Sequence, residues 1–151
     1  MSGGAREAIH WSAMQEVDIL VIQEHRLLGP QAATWKARLR GWGWGSIWSP
    51  AVRTQSGGIS GGVAVAARGM LLIGPTGKTS ERMVTGHVAL TRTRRLRVTS
   101  LYLADSTCPH AQGTNFSIAQ TLEEELRGEG RVPFVVGGDW NCEPGGAGQA
   151  G

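Results

Sequence analysis

Val132-Pro133-Phe134-Val135-Val136-Gly137-Gly138-Asp139-Trp140-Asn141 is the stretch whose reading decides the fold. Residues 132–137 form a β-branched and aromatic run of the kind found in a buried strand. The run ends in a glycine pair, which permits close backbone approach. An acid, an aromatic and an amide follow. If strand alternation continues, Asp139 and Asn141 lie on the same side. A second run, Asp18-Ile19-Leu20-Val21-Ile22-Gln23, reads as another fully buried strand and leads into Glu24-His25-Arg26. The ends of strands are where a rigid sheet can hold side chains toward a cleft. Glu24 and Asp139 are hard oxygen ligands of the type that Mg²⁺ or Mn²⁺ takes. Asn141 adds a donor and an acceptor.

The spacing outward from these ends predicts an alternation of helices and strands. Residues 5–15 have helical spacing. A helix over 31–40 starts behind Pro30 and stops at Gly41. Strands follow at 44–48, 62–67 and 70–73, with a glycine loop at 57–62. The runs 83–91 and 96–103 are separated only by residues 92–95, so they form a hairpin. A polar loop covers 105–114. A helix over 115–127 puts Ile118, Leu122 and Leu126 on one face. Helices interspersed with antiparallel-type runs fit a mixed α/β sandwich better than a doubly wound parallel sheet.

The 151 residues suit one domain, and a 40% apolar share excludes a disordered chain. We expect a domain over residues 1–144 and a flexible glycine-rich tail over 145–151. Cys108 and Cys142 make no disulfide framework, although one bridge between them is left open. No signal peptide or membrane-length run is visible, so the expectation is an intracellular protein, nuclear or cytoplasmic.

The formal charge of +3 hides a segregation. Between His25 and Ala104 lie twelve basic residues and one acid, Glu81; the rest of the chain holds three basic and eleven acidic residues. The basic set is nearly all arginine, the better fork for phosphate oxygens. It suits a polyanionic partner, although basic side chains also line solvated strand edges.

Three motifs are decoys. Gly77-Lys78-Thr79 lacks the upstream glycine of a P-loop, because Leu72 stands there. Gly41-Trp42-Gly43-Trp44-Gly45 has no preceding strand, and Ser46 occupies the third glycine position of a dinucleotide fingerprint. Gly58-Ile59-Ser60-Gly61-Gly62 matches a nucleophile elbow, but the strand follows Ser60 instead of preceding it. A Ser hydrolase at Ser60 is therefore the weakest of the enzymatic readings.

Gln23-Glu24 after a strand, Gly61-Gly62-Val63-Ala64-Val65, Tyr102 closing a strand, and Gly137-Gly138-Asp139-Trp140-Asn141 occur in that order. In this the chain resembles the endonuclease/exonuclease/phosphatase superfamily, the fold of DNase-I-like and exonuclease-III-like enzymes, over roughly residues 17–144. The resemblance implies a partial four-layer α/β sandwich of mostly antiparallel sheets flanked by helices. It implies a Mg²⁺- or Mn²⁺-dependent phosphoester hydrolase, most simply a nuclease on DNA or RNA. Sugar or lipid phosphates are lesser alternatives. Carried over to matching positions, Glu24 is the metal ligand and Asp139 orients or deprotonates the attacking water. Asn141 hydrogen-bonds the phosphate or that water, and Tyr102 helps hold the phosphate. The hairpin arginines Arg92, Arg94, Arg95 and Arg97 are candidates for substrate phosphates. His25 stands where the family more often has Thr and reads as a packing or surface residue. His87 and His110 receive no role.

The chain also departs from the family pattern. No Asn precedes Asn115, although the family opens with an Asn-bearing strand. No Asp-His pair follows Asn141, and Tyr-x-Pro reads Tyr102-Leu103-Ala104. The expectation is a fragment with little or no hydrolytic activity alone. The alternative is a non-catalytic nucleic-acid-binding remnant.

Overall fold

A computed structural model describes residues 16–107 and 110–141. The expected helix at 5–15, the tail at 145–151, and both cysteines lie outside the described residues.

Strand β1 (Ile19–Ile22) is followed by helix α1 (Gly29–Gly41), β2 (Trp44–Ser49) and the two-residue strands β3 (Val52–Arg53) and β4 (Ile59–Ser60). Then come β5 (Val63–Arg68), β6 (Leu72–Ile73), β7 (Met83–Ala89), β8 (Arg95–Tyr102), helix α2 (Ala111–Gly128) and β9 (Phe134–Asp139).

One sheet has the order β1-β5-β2 and is antiparallel; the other runs β6-β7-β8-β9. The predicted hairpin is β7-β8, with Met83 opposite Leu101 and Ala89 opposite Arg95. The last pair, β8-β9, is parallel and sets Tyr102 opposite Asp139. A parallel return needs a long crossover, and α2 provides it.

Alternation on β5 builds the layers. Val63, Val65 and Ala67 face the second sheet and join Ile47, Val84, Val88 and Val98 in the inter-sheet core. Ala66 faces the other way, against Leu39 of α1 and Trp44. Burying Leu39 completely is worth about 2–5 kcal/mol against alanine. On the second sheet Val84, Val88 and Val98 turn inward. His87 and Arg97, in the opposite phase, meet α2. The described residues therefore stack as helix, sheet, sheet, helix, the layering that the family resemblance implied. Among them no helix is long and apolar enough to cross a membrane.

The two helices dock by different means. Leu39 anchors α1 through apolar contact. On α2, Ala111 is the buried residue, while Ile118, Leu122 and Leu126 are only half-buried. Its firm attachments are polar. Arg97 Nη2 pairs with Glu125, and Arg97 Nη1 lies 2.7 Å from Glu129 Oε1. His87 Nε2 lies 2.8 Å from Glu129 Oε2. Burial works against the Glu129 carboxylate, but the hydrogen bonds from His87 and Arg97 hold its pKa below the ordinary value.

The structure corrects several expectations. The runs at 18–23 and 132–137 are not fully buried strands. β1 is half-buried, and Phe134 and Val135 at the start of β9 are exposed, because both strands lie at sheet edges. Helix α1 runs through Gly41, and the turn falls at Gly43, whose φ is +81°. Helix α2 begins at Ala111, inside the expected loop. The glycine segment 57–62 contains β4, which pairs with β3. Ser60 thus sits in a strand with β5 after it, which is not the setting of a nucleophile elbow.

Candidate active site

Glu24 leaves β1 with φ +47°, and Arg26 has φ +54°. Left-handed geometry is costly for a side-chain-bearing residue and persists only where neighbours enforce it. Here the neighbours are Gly61 and Gly62. The His25 N–H donates to Gly62 O and the Arg26 N–H to Gly61 O, both at 3.1 Å. On the other side, the Gly62 N–H donates to Glu81 O at 2.7 Å. A methyl group on Gly62 would collide with the His25 ring, and one on Gly61 would stand 2.8 Å from Glu81 O. The glycine pair is the spacer that lets the Glu24 turn and the segment 81–82 approach.

His25 locks the turn from below. It is 1% exposed. Its Nδ1 accepts from the Leu27 N–H at 3.0 Å, which leaves Nε2–H to donate to Ser49 O at 3.1 Å. Burial pushes its pKa below 6.5, outweighing the backbone hydrogen bonds that favour the charged form. It is a neutral packing residue.

From the second sheet, the Ser100 hydroxyl donates to Ile22 O at 2.9 Å and accepts from Gln23 Nε2 at 3.0 Å. Two residues on, the Tyr102 hydroxyl donates to Glu24 Oε1 at 2.8 Å. Burial raises the Tyr102 pKa, and the Glu24 carboxylate adds to the shift, so the phenol stays a donor at neutral pH. Arg26 Nη2 reaches the same oxygen at 3.4 Å. Glu24 Oε2 has no partner among the described residues. That free oxygen suits a cation such as Mg²⁺, which commonly takes one or two carboxylates and fills its other positions with water and phosphate. Among the described residues no group of three His, Cys, Asp or Glu forms a closed metal cage.

Asp139 ends β9 directly beside Tyr102 and is exposed. Alternation does not carry on to Asn141. That residue lies beyond the strand with φ +44°, a left-handed conformation Asn tolerates. Its N–H donates to Asp139 Oδ1 at 3.0 Å, and its Nδ2 donates to Leu103 O at 2.6 Å. The amide oxygen of Asn141 and Oδ2 of Asp139 have no partner among the described residues.

Sequence reasoning missed two members of this cluster. Arg82 lays its guanidinium 4.8 Å from the centre of the Tyr102 ring, and Nη1 has no acceptor among the described residues. Asn115 clamps the segment after Tyr102, accepting from the Ala104 N–H at 2.7 Å and donating to Ala104 O at 2.9 Å. Arg82 was one basic residue among twelve, and nothing local marked it. Asn115 stood in a predicted helix with no sign of its target.

The hairpin arginines are not part of this cluster. Arg97 is 2% exposed and held by Glu125 and Glu129, so its guanidinium is taken up by the fold. Arg92, Arg94 and Arg95 are exposed at the turn. Arg95 and Tyr102 are opposite ends of β8, about 23 Å apart at the usual rise of a strand. The reason is directional: a hairpin sends its turn away from the end where its strands leave.

A groove of about 610 Å³ lies beside this cluster between segment 78–83 and the first half of α2. It shares Arg82 and Glu81 with the cluster and includes Lys78, Ser80, Thr114 and Ser117, but not Glu24 or Asp139. The two hydrogen-bonded pairs, Tyr102–Glu24 and Asn141–Asp139, set side by side by strand register, are the better guide to chemistry, and the groove is their flank.

No protein-family model and no curated protein matches the chain. Among solved structures it is similar to the endonuclease domain of TRAS1, a telomere-specific non-LTR retrotransposon. The two share 19% identity and a TM-score of 0.59, over 93% of this chain and 53% of that one. The chain spans about half the length of that domain. The likeness is one of fold: the chain shares the two-sheet, helix-flanked α/β architecture of that domain.

Proposed function

We propose that this chain carries the phosphate-handling half-site of a metal-dependent nuclease. The supporting observation is the junction of two sheet ends, where Tyr102 donates to Glu24 at 2.8 Å and stands opposite Asp139. Glu24 would hold a Mg²⁺ or Mn²⁺ ion through Oε2, with Oε1 fixed by Tyr102. When bound, such an ion neutralises charge that develops on phosphoryl oxygens. Arg82 offers a guanidinium next to that position for a phosphate oxygen. Asp139, exposed and with Oδ2 free, accepts a proton from the attacking water. Asn141 steadies Asp139 through its N–H and presents its amide oxygen to the same space. The substrate this reading favours is DNA or RNA.

Two measurements test it. Mn²⁺ binding, read from the loss of the free-ion EPR signal, is expected to weaken at least tenfold in Glu24→Gln. Any Mg²⁺-dependent nicking of supercoiled plasmid is expected to vanish in both Glu24→Gln and Asp139→Ala. Equal Mn²⁺ binding by wild type and Glu24→Gln would remove the metal from the reading. Nicking that persists in Asp139→Ala would remove the base.

A second reading is a nucleic-acid-binding remnant without hydrolysis. It is favoured by the single carboxylate at the metal position. It predicts salt-sensitive binding that survives Glu24→Ala, with no nicking under any metal.

A further inference from the structure

The candidate active site lies at one end of the two sheets. At the other end lie the start of β2, the end of β5, strand β6 and the β7-β8 turn. β2 places Ser49, which accepts from His25, at the near end and Trp44 at the far end. These ends are about 17 Å apart at the rise of a strand.

A groove of about 420 Å³ at the far end is bordered by Lys36 and Arg40, one helical turn apart on α1. Its other walls come from residues 43–47 and from 69–74. None of the lining residues is acidic. Trp42, between Arg40 and Gly43 in the chain, does not line this groove; it is 57% exposed and meets Trp35 edge-on, beside the face of α1 where Arg38 lies 5.0 Å from the Trp35 ring centre. Segment 70–74 carries the surface onward to the hairpin turn: the Ala89 N–H donates to Leu71 O at 2.9 Å, and Leu72 pairs with Val88. The turn itself displays Arg92, Arg94 and Arg95.

None of these five cations has an ion-pair partner among the described residues. Of the carboxylates described toward this end, Glu129 is held by His87 and Arg97 at the base of the hairpin, Asp18 is 3.7 Å from Arg68, and Glu16 is exposed. A fold that saturates Arg97 with two carboxylates leaves this cluster unsaturated.

We infer that this far end is a second binding surface, for single-stranded nucleic acid, separate from the candidate active site. Lys36 and Arg40 hold phosphates along the groove, the hairpin arginines extend the track, and a base stacks on Trp42. An unpaired basic track with an exposed indole is the combination that single strands use. An acidic peptide would use the cations but has no base to place on the indole. The inference does not depend on hydrolysis at the other end.

The test is binding of fluorescein-labelled oligo(dT) to the full chain by anisotropy, in EDTA, across a salt series. Single-stranded contacts contribute a slope of about 0.7 per neutralised phosphate. Lys36→Ala with Arg40→Ala is therefore expected to lower the slope of log Kd against log salt by about 1.4. Alanine at Arg92, Arg94 and Arg95 together is expected to lower it by about 2. Trp42→Ala is expected to weaken binding at least about fivefold. The same losses are expected in a Glu24→Gln chain, which separates this surface from the active-site reading. All five positions and Trp42 are exposed, and circular dichroism melts of each variant check that folding is retained. Unchanged slopes in both sets of variants would overturn the surface. A Trp42→Ala chain that binds as wild type, together with displacement by polyglutamate as effective as by oligo(dT), would overturn nucleic acid as its ligand.

Discussion

Arg97 and Arg82 serve the same hairpin and meet opposite fates. Arg97 is enclosed under α2, with one guanidinium nitrogen on Glu125 and another on Glu129. Arg82 sits at the other end of β7, over the Tyr102 ring, and its nearest carboxylate is Glu81 at 3.8 Å from Nε. The first is consumed by the fold; the second retains unmet donor capacity beside Glu24. A basic residue becomes a site for an anion when the fold leaves its charge unanswered, and counting arginines along a sequence does not reveal that.

The contrast yields an order of effects. Arg97→Ala should cost the most stability, about 3 kcal/mol, because it strands two carboxylates under a helix and Glu129 is still partly solvated. Urea denaturation measures this; a loss below about 1 kcal/mol would show that α2 does not depend on the network. Arg82→Ala should barely change that midpoint but lower any Mg²⁺-dependent cleavage about a hundredfold, in line with the loss of one preorganised donor to developing charge. An Arg82→Ala chain that cleaves normally would make the two arginines equally structural. Tyr102→Phe should cost about 1.5 kcal/mol, the lower end for a hydrogen bond to a charged group, because Glu24 is partly exposed. A double variant in which Arg82→Ala and Tyr102→Phe lower cleavage by independent, multiplying factors would break the stacked unit into independent parts.

The smallest effect concerns the turn beneath Glu24. His25 is held neutral by burial, with a folded pKa below its unfolded value of 6.5. As pH falls below 6.5 the unfolded chain takes up a proton that the folded chain refuses, so stability declines until the pH passes the folded pKa. His25→Gln should remove that part of the slope. An identical pH dependence in the variant would assign the slope to other groups.

Most of the elements were legible because apolar runs and turn residues are local signals. The strand positions fell within a few residues of their observed bounds. Residues 111–114 were read as loop because Ala-Gln-Gly-Thr contains a glycine and no apolar face, and tertiary contact overrode that local preference. Glu24, Tyr102 and Asp139 were nameable from a motif order, and the structure brings them to one junction. The destiny of Arg97 was not legible, since its partners stand 28 and 32 positions along the chain on another element. Arg82 was hidden for the same reason, with Tyr102 twenty residues away across a hairpin. Solvation and pairing are properties of the assembled layers, and no window along the chain contains them.

The parallel register of Tyr102 against Asp139 has a consequence in time. β7 and β8 can meet through a short turn, whereas β9 must wait for the chain to travel along α2 and return. Loop closure over that distance is slower than hairpin formation. The acid at residue 139 should therefore be among the last groups to arrive, after the Glu24 turn and its tyrosine are in place. A nascent or partly opened molecule would display Glu24, Tyr102 and Arg82 together before Asp139 joins them. Under the proposed function, capture of a phosphate would then precede hydrolysis in the history of each molecule.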